Sequence, residues 1–136
     1  MQGNTKSFLD RGWAYPVSVN KATGRVKLSE YEQDIAEAIR IILTTRRGER
    51  IMRPEFGSRL HEYIFEVDSL GVRSRIEHEA EEALRLWEPR ITGIKTKAEF
   101  SEGRNSGFAL HISYVVRNTN GTFNAVYPFF IAEGGS

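Results

Sequence analysis

The chain has no cysteine, which excludes disulfide frameworks, thiolate nucleophiles, thiolate zinc sites and iron–sulfur clusters. It also lacks a surplus of charge. Nineteen Lys and Arg stand against eighteen Asp and Glu, a formal net charge of +1, so no global field exists to hold a nucleic acid or an anionic membrane. Long apolar runs are missing as well. The stretch Ile39 to Leu43 is broken by Arg40, and Val126 to Ala132 falls far short of the roughly 18 residues needed to cross a bilayer. The opening Met1-Gln2-Gly3-Asn4-Thr5-Lys6 is not a basic segment leading into an apolar run and a small-residue cleavage site, so synthesis and retention in the cytoplasm is the expectation. Histidine is scarce, at three. His61-Glu62 and His78-Glu79 each begin the paired-histidine zinc pattern, but Phe65 and Glu82 occupy the fourth positions, and no metal or cofactor is expected. Neither standard glycine-rich phosphate loop occurs, and no serine sits in a nucleophile elbow, so catalysis lacks an obvious nucleophile.

What is present suits one folded domain. At 136 residues the length matches a single core, and 40% hydrophobic with 27% charged residues argues against disorder. The first 28 residues carry turn formers at Gly12, Pro16, Asn20 and Gly24, with Phe8, Trp13, Tyr15 and Val17 alternating among small or polar residues. That pattern predicts an extended arm with short strands, one of them Arg25 to Leu28. Ser29 and Glu32 then form a capping box ahead of the stripe Ile35, Ile39, Ile42 and Leu43, which predicts an amphipathic helix from about Glu30 to about Thr45, stopped at Gly48. Residues 60–65 fit either a helical turn or a buried extended piece. Asp68 or Ser69 can cap a second helix on Val72, Ile76, Ala80, Ala83, Leu84 and Trp87, closed by Pro89.

From Ile91 the period becomes two. Ile91, Gly93, Lys95, Lys97 and Glu99 fall on one side, and Thr92, Ile94, Thr96, Ala98 and Phe100 on the other. After a turn at 102–107, Phe108, Leu110, Ile112, Tyr114 and Val116 alternate, Asn118 to Gly121 reverses the chain, and Thr122 to Ile131 supplies a third strand. The fold expected is α+β: two amphipathic helices on one face of a C-terminal antiparallel sheet of three or more strands. Residues 1–28 would be the arm and residues 29–136 a single domain. Pro128 in the third strand points to an edge or a bulge, and Phe123, Val126, Tyr127, Phe129, Phe130 and Ile131 are either all core or partly reserved for burial on assembly.

Three local features bear on function. Residues 46–59 hold five arginines against two glutamates in a loop shaped by Pro54, Gly48 and Gly57. Guanidinium forks serve carboxylates as readily as phosphates, and Phe56 is the sole aromatic within that stretch, so a protein partner is the stronger reading over nucleic acid. Glu88-Pro89-Arg90 sits at a helix exit, where proline fixes the backbone and aims its charged neighbours; the plainer reading is a helix stop with two solvated charges. Glu49, Glu55, Glu62 and Glu88 lie near loops and are the carboxylates a glycoside hydrolase would need.

With these residues in view, the chain resembles the W-protein and gene-product-twenty-five family of baseplate wedge proteins, from contractile-tailed phages and related injection machines. The resemblance covers nearly all of the chain, through Gly12 to Val17, Ile42 to Ser58, Trp87 to Ile91, and Tyr127 to Phe129. It implies a structural baseplate component made in the bacterial cytoplasm and built into a phage tail or tail-like particle, with no cofactor, metal, small-molecule substrate, nucleic acid or membrane partner. Glu88, Pro89 and Arg90, with Arg50, Arg53 and Pro54 of the matched loop, would dock on other wedge or hub subunits. The strand bearing Phe123, Val126, Tyr127 and Phe129 would meet the sheath protein, whose strands add to the sheet and start sheath assembly. Members have also been called lysozyme-like, so peptidoglycan degradation is the alternative.

Overall fold

A computed structural model of the chain describes residues 18–21, 28–101 and 106–131. The first helix, α1 (Glu30–Thr44), begins as the capping box requires: the Glu32 amide donates to Ser29 Oγ at 3.1 Å, and the Ser29 amide to the Glu32 carboxylate at 2.9 Å. Its buried stripe is Ile35, Ile39, Ile42 and Leu43. Gly48 does not stop this helix. Thr45 already leaves it in extended geometry, because its carbonyl accepts the Ser58 amide at 2.9 Å and the chain turns into a bridge between Arg46 and Ser58. Tertiary pairing overrides the local signal. Residues 60–65 resolve as a helical turn, a 3₁₀ segment at Leu60–Tyr63 that buries Leu60.

Helix α2 (Leu70–Trp87) starts at Ser69, whose Oγ accepts the Val72 amide at 3.1 Å, and presents Val72, Ile76, Ala80, Ala83 and Leu84 to the core. Strands β2 (Ile91–Phe100), β3 (Ser106–Val116) and β4 (Gly121–Ile131) form the antiparallel meander. Asn120, at φ 57°, makes the β3–β4 reversal, a conformation asparagine tolerates better than most residues. The predicted alternation in β2 fails at its start. An extra residue enters between Thr92 and Lys95, with Gly93 at φ 59°, so buried Ile91 shares the core side with Ile94 and Ala98. A glycine bulge of this kind shifts the pleat by one residue, which is why strict periodicity misassigned Ile91.

Phe108, Leu110, Ile112, Tyr114 and Val116 of β3, and Phe123, Ala125, Tyr127 and Phe129 of β4, are all buried. Phe108 stacks on Phe129 with centroids 5.3 Å apart, and Tyr114 on Phe123 at 5.5 Å. Burying one such ring contributes about 2 to 3 kcal/mol. The opposite sheet face carries Lys95, Lys97, His111, Ser113, Asn124 and Val126 around a shallow depression of about 350 Å³.

One expectation about the sheet is corrected here. Over Phe123 to Val126 the last strand is not its margin, since β1 (Ser18–Lys21) pairs antiparallel with it there and gives the order β1-β4-β3-β2, while Pro128 lies beyond that described pairing. An arm segment therefore caps β4 over four residues. The other predicted arm features, Phe8, Trp13, Tyr15, Val17 and the strand from Arg25, lie outside the described residues apart from Leu28, which is not in a strand.

Candidate docking surface

The helix exit after Trp87 is where charge is concentrated. Pro89 cannot continue α2, so the chain turns there into β2. Glu88, only 2% exposed, accepts three hydrogen bonds from Arg90: one from its amide at 3.1 Å and two at 2.8 Å from its guanidinium. The remaining arm of that guanidinium reaches Asp34 of α1 at 2.8 Å, and its plane lies 5.9 Å from the Tyr31 ring centroid. These two carboxylates push the Arg90 pKa upward, the Glu88 hydrogen bonds more than those of Asp34. Arg117 adds a strut, donating from its side chain to the Pro89 carbonyl at 2.8 Å and from its amide to the Arg90 carbonyl at 2.9 Å.

Neither charge of the Glu-Pro-Arg motif is therefore a solvated flag. Glu88 is a buried acid whose counter-charge is Arg90, and together with Asp34 they tie α1, the end of α2 and the start of β2 into one corner. A buried carboxylate tolerates its desolvation only with such a partner.

Beside this corner lies the loop 46–59. Its neck is closed by Ser58, whose Oγ donates to the Leu43 carbonyl at 2.8 Å, while the Gly48 amide donates to the Pro54 carbonyl at 2.6 Å. Gly57 has φ 109°, and a Cβ there would sit 2.3 Å from the Thr45 oxygen. Only glycine fits such a contact. The neck then holds Phe56 edge-on to Trp87, centroids 5.1 Å apart, with Arg50 over Phe56 at 4.3 Å and Arg53 over Trp87 at 5.0 Å. Trp87 thus leaves the purely core role its helical position suggested and supplies the aromatic surface that the loop's own sequence lacks. Its indole N–H is buried without an acceptor among the described residues. Pro54 is exposed at the tip.

Of the residues picked from sequence, Glu88, Pro89, Arg90, Arg50 and Arg53 meet around Trp87 and its exit, with Pro54 in the same loop. The missed contributors are Asp34, Tyr31 and Arg117, which come from distant elements and have no local signal. The strand residues Phe123, Tyr127 and Phe129 face the domain's own core, and Val126 faces the open side of the sheet. At the opposite margin, β2 is guarded: the Ala98 amide donates to the Glu77 carboxylate at 2.9 Å, and the Thr96 hydroxyl to the Glu81 carboxylate at 3.0 Å. An edge amide satisfied by a helix carboxylate is not offered to an incoming strand.

Among the carboxylates a hydrolase would need, Glu49, Glu55 and Glu62 are exposed, with Glu49 accepting the Arg46 amide at 3.0 Å. Glu88 is saturated by Arg90. Among the described residues no group of three or more His, Asp or Glu could hold a metal ion, and no helix is long and apolar enough to cross a membrane.

Comparison with known proteins adds the following. Residues 29–121 match the family model of the baseplate wedge protein gp25. A crystal structure from Geobacter sulfurreducens, provisionally described as a tail lysozyme, is 46% identical over 79% of this chain and 97% of its own, with a TM-score of 0.65. A chain of the postcontracted pyocin R2 baseplate is 29% identical over 73% and 98%, with a TM-score of 0.54. A chain of the type VI secretion system baseplate complex shares the fold, at 13% identity over 74% and 93% with a TM-score of 0.61. No curated protein matches the chain.

Proposed function

The chain belongs to the baseplate wedge protein gp25 family, and from that premise we propose that it joins the wedge of a contractile baseplate to the first ring of sheath. It is a baseplate component of a contractile injection system. Its two working surfaces would be the Glu88–Arg90 corner with its arginine loop, meeting other wedge or hub proteins, and the β1 side of the sheet, receiving a sheath strand.

The inequality of the two sheet margins carries this reading. Edge backbone left unpaired recruits a foreign strand, and edge backbone already satisfied does not. At the β2 margin the Ala98 amide is already taken by Glu77, which favours the β1 margin for augmentation. Three strand-to-strand steps of about 4.8 Å separate β1 from β2, so the two margins lie about 14 Å apart across the sheet. That separation suits an adaptor.

The Geobacter relative's description keeps a hydrolase as the second reading. Against it, buried Glu88 spends both carboxylate oxygens on Arg90, while Glu49, Glu55 and Glu62 lie exposed on the surface rather than facing one another across a cleft as a hydrolytic pair must. Peptidoglycan turbidity assays decide the point: clearing by the purified chain that vanishes on Glu49→Gln, Glu55→Gln or Glu62→Gln, with unfolding unchanged, would make it an enzyme.

The adaptor reading is tested by cross-linking. Since the chain has no cysteine, one introduced at Asn20 in β1 is unique. It should form a disulfide with a cysteine in the sheath subunit's terminal strands inside assembled particles. Assembled particles in which Asn20→Cys captures nothing, or in which a reconstruction shows no foreign strand beside β1, would overturn the sheath contact.

A further inference from the structure

The tip of the 46–59 loop keeps two apolar side chains in water. Ile51 is 93% exposed and Met52 is 87% exposed, the highest values among the exposed large hydrophobics of the described residues. They stand between Arg50 and Arg53, whose guanidiniums rest on Phe56 and Trp87 and meet no carboxylate among the described residues. The acids nearby point to other duties: Glu49 accepts the Arg46 amide, and Glu79 accepts the Arg59 amide and lies 3.9 Å from Arg47. A guanidinium laid on a ring face still has its N–H edge free for a bidentate acceptor.

From this arrangement we infer that the tip docks into a protein segment that offers an apolar recess flanked by carboxylates, such as one face of an acidic amphipathic helix. The inference rests on the baseplate reading and names the chemistry of the surface this loop meets there. Ile51 and Met52 would enter the recess, while Arg50 and Arg53 grip the acids on either side. Preorganisation supports it, because rings and a closed neck already hold the arginines, so little side-chain entropy is lost on contact. Arginine and tryptophan are also the residues on which interface energy concentrates. Nucleic acid fits less well: exposed Ile and Met offer nothing to phosphate, and the +1 total supplies no wider attraction.

The test uses assembled particles carrying a photoreactive amino acid in place of Met52. Irradiation should cross-link the loop to another baseplate protein, at a segment with Asp or Glu within one helical turn of apolar residues. Adding Arg50→Glu and Arg53→Glu should lower that yield about tenfold or more, per chain incorporated, as expected for lost hot-spot contacts. Both positions are exposed, so the domain keeps its fold, which is checked by unfolding. An unchanged yield overturns the acidic partner. A cross-link to nucleic acid, to a second copy of this chain, or to nothing while the chain is present in the particle overturns the inference and leaves the baseplate reading standing. Absence of the unaltered chain from purified particles overturns both.

Discussion

Arginines flank Trp87 on two sides, and they do opposite work. Arg90 spends its guanidinium inside the molecule, on a buried glutamate and an aspartate from another helix. Arg50 and Arg53 sit over the rings of Phe56 and Trp87 and form no ion pair with a carboxylate among the described residues. Burial of the acid makes the difference. Where a carboxylate is removed from water, its arginine becomes a brace that the fold cannot lose; where rings are the only support, the arginine stays available to a neighbour. The motif that looks like a docking signal is thus first a structural corner, and the loop beside it is freer to make contacts.

The largest expected effect separates the two. Arg90→Ala leaves Glu88 buried without its partner, and the loss should be about 3 kcal/mol or more by denaturant unfolding. Arg90→Glu should be worse, since it adds a charge beside both Glu88 and Asp34. If the isolated domain tolerates either change with less than about 1 kcal/mol lost, Arg90 is not a brace and the contrast collapses. Assembly defects of Arg90 variants therefore need an unfolding curve beside them before they are read as lost docking. Next in size is Gly57→Ala, which sets a methyl against the Thr45 oxygen at a φ disfavoured for alanine. About 2 to 3 kcal/mol should go, with Trp87 fluorescence reporting whether the loop has swung off its ring.

Much of this contrast could be seen in the sequence, but not its sense. The two helices, their caps at Ser29 and Ser69 and the buried stripes followed from spacing, because a helix repeats its neighbours every three or four residues. The β3–β4 hairpin followed from alternation around Asn118 to Gly121. Three things stayed hidden for physical reasons. The bulge at Gly93 breaks the period that would reveal it. The β1–β4 pairing joins residues about a hundred positions apart and depends on no local signal. Asp34 stands on the polar side of its helix, where it looks solvated until Arg90, 56 residues later, folds back onto it. Sequence marks a charge and its element; whether that charge is consumed internally is decided by the tertiary partner.

The opposite limb of the contrast predicts small stability changes. Arg50→Ala or Arg53→Ala removes one exposed cation–π contact, about 0.5 to 1 kcal/mol. Cross-linking through position 52 should suffer far more than unfolding does. A loss comparable to that of Arg90→Ala would mean the loop arginines are braces too.

The smallest effect sharpens the comparison through pH. His61 lies in the 3₁₀ turn after the arginine loop, and burial, with help from Arg46, lowers its pKa below the ordinary 6.5, against the weaker opposing pull of Glu62, Glu49 and Glu79. The folded state therefore binds this proton less readily than the unfolded chain. Its stabilising contribution is complete above about pH 6.5 and declines as the pH falls from there through the lowered folded value. His61→Gln should flatten that part of the stability profile. A slope that survives His61→Gln would assign the acid sensitivity to another group and remove the loop side of the molecule as its source.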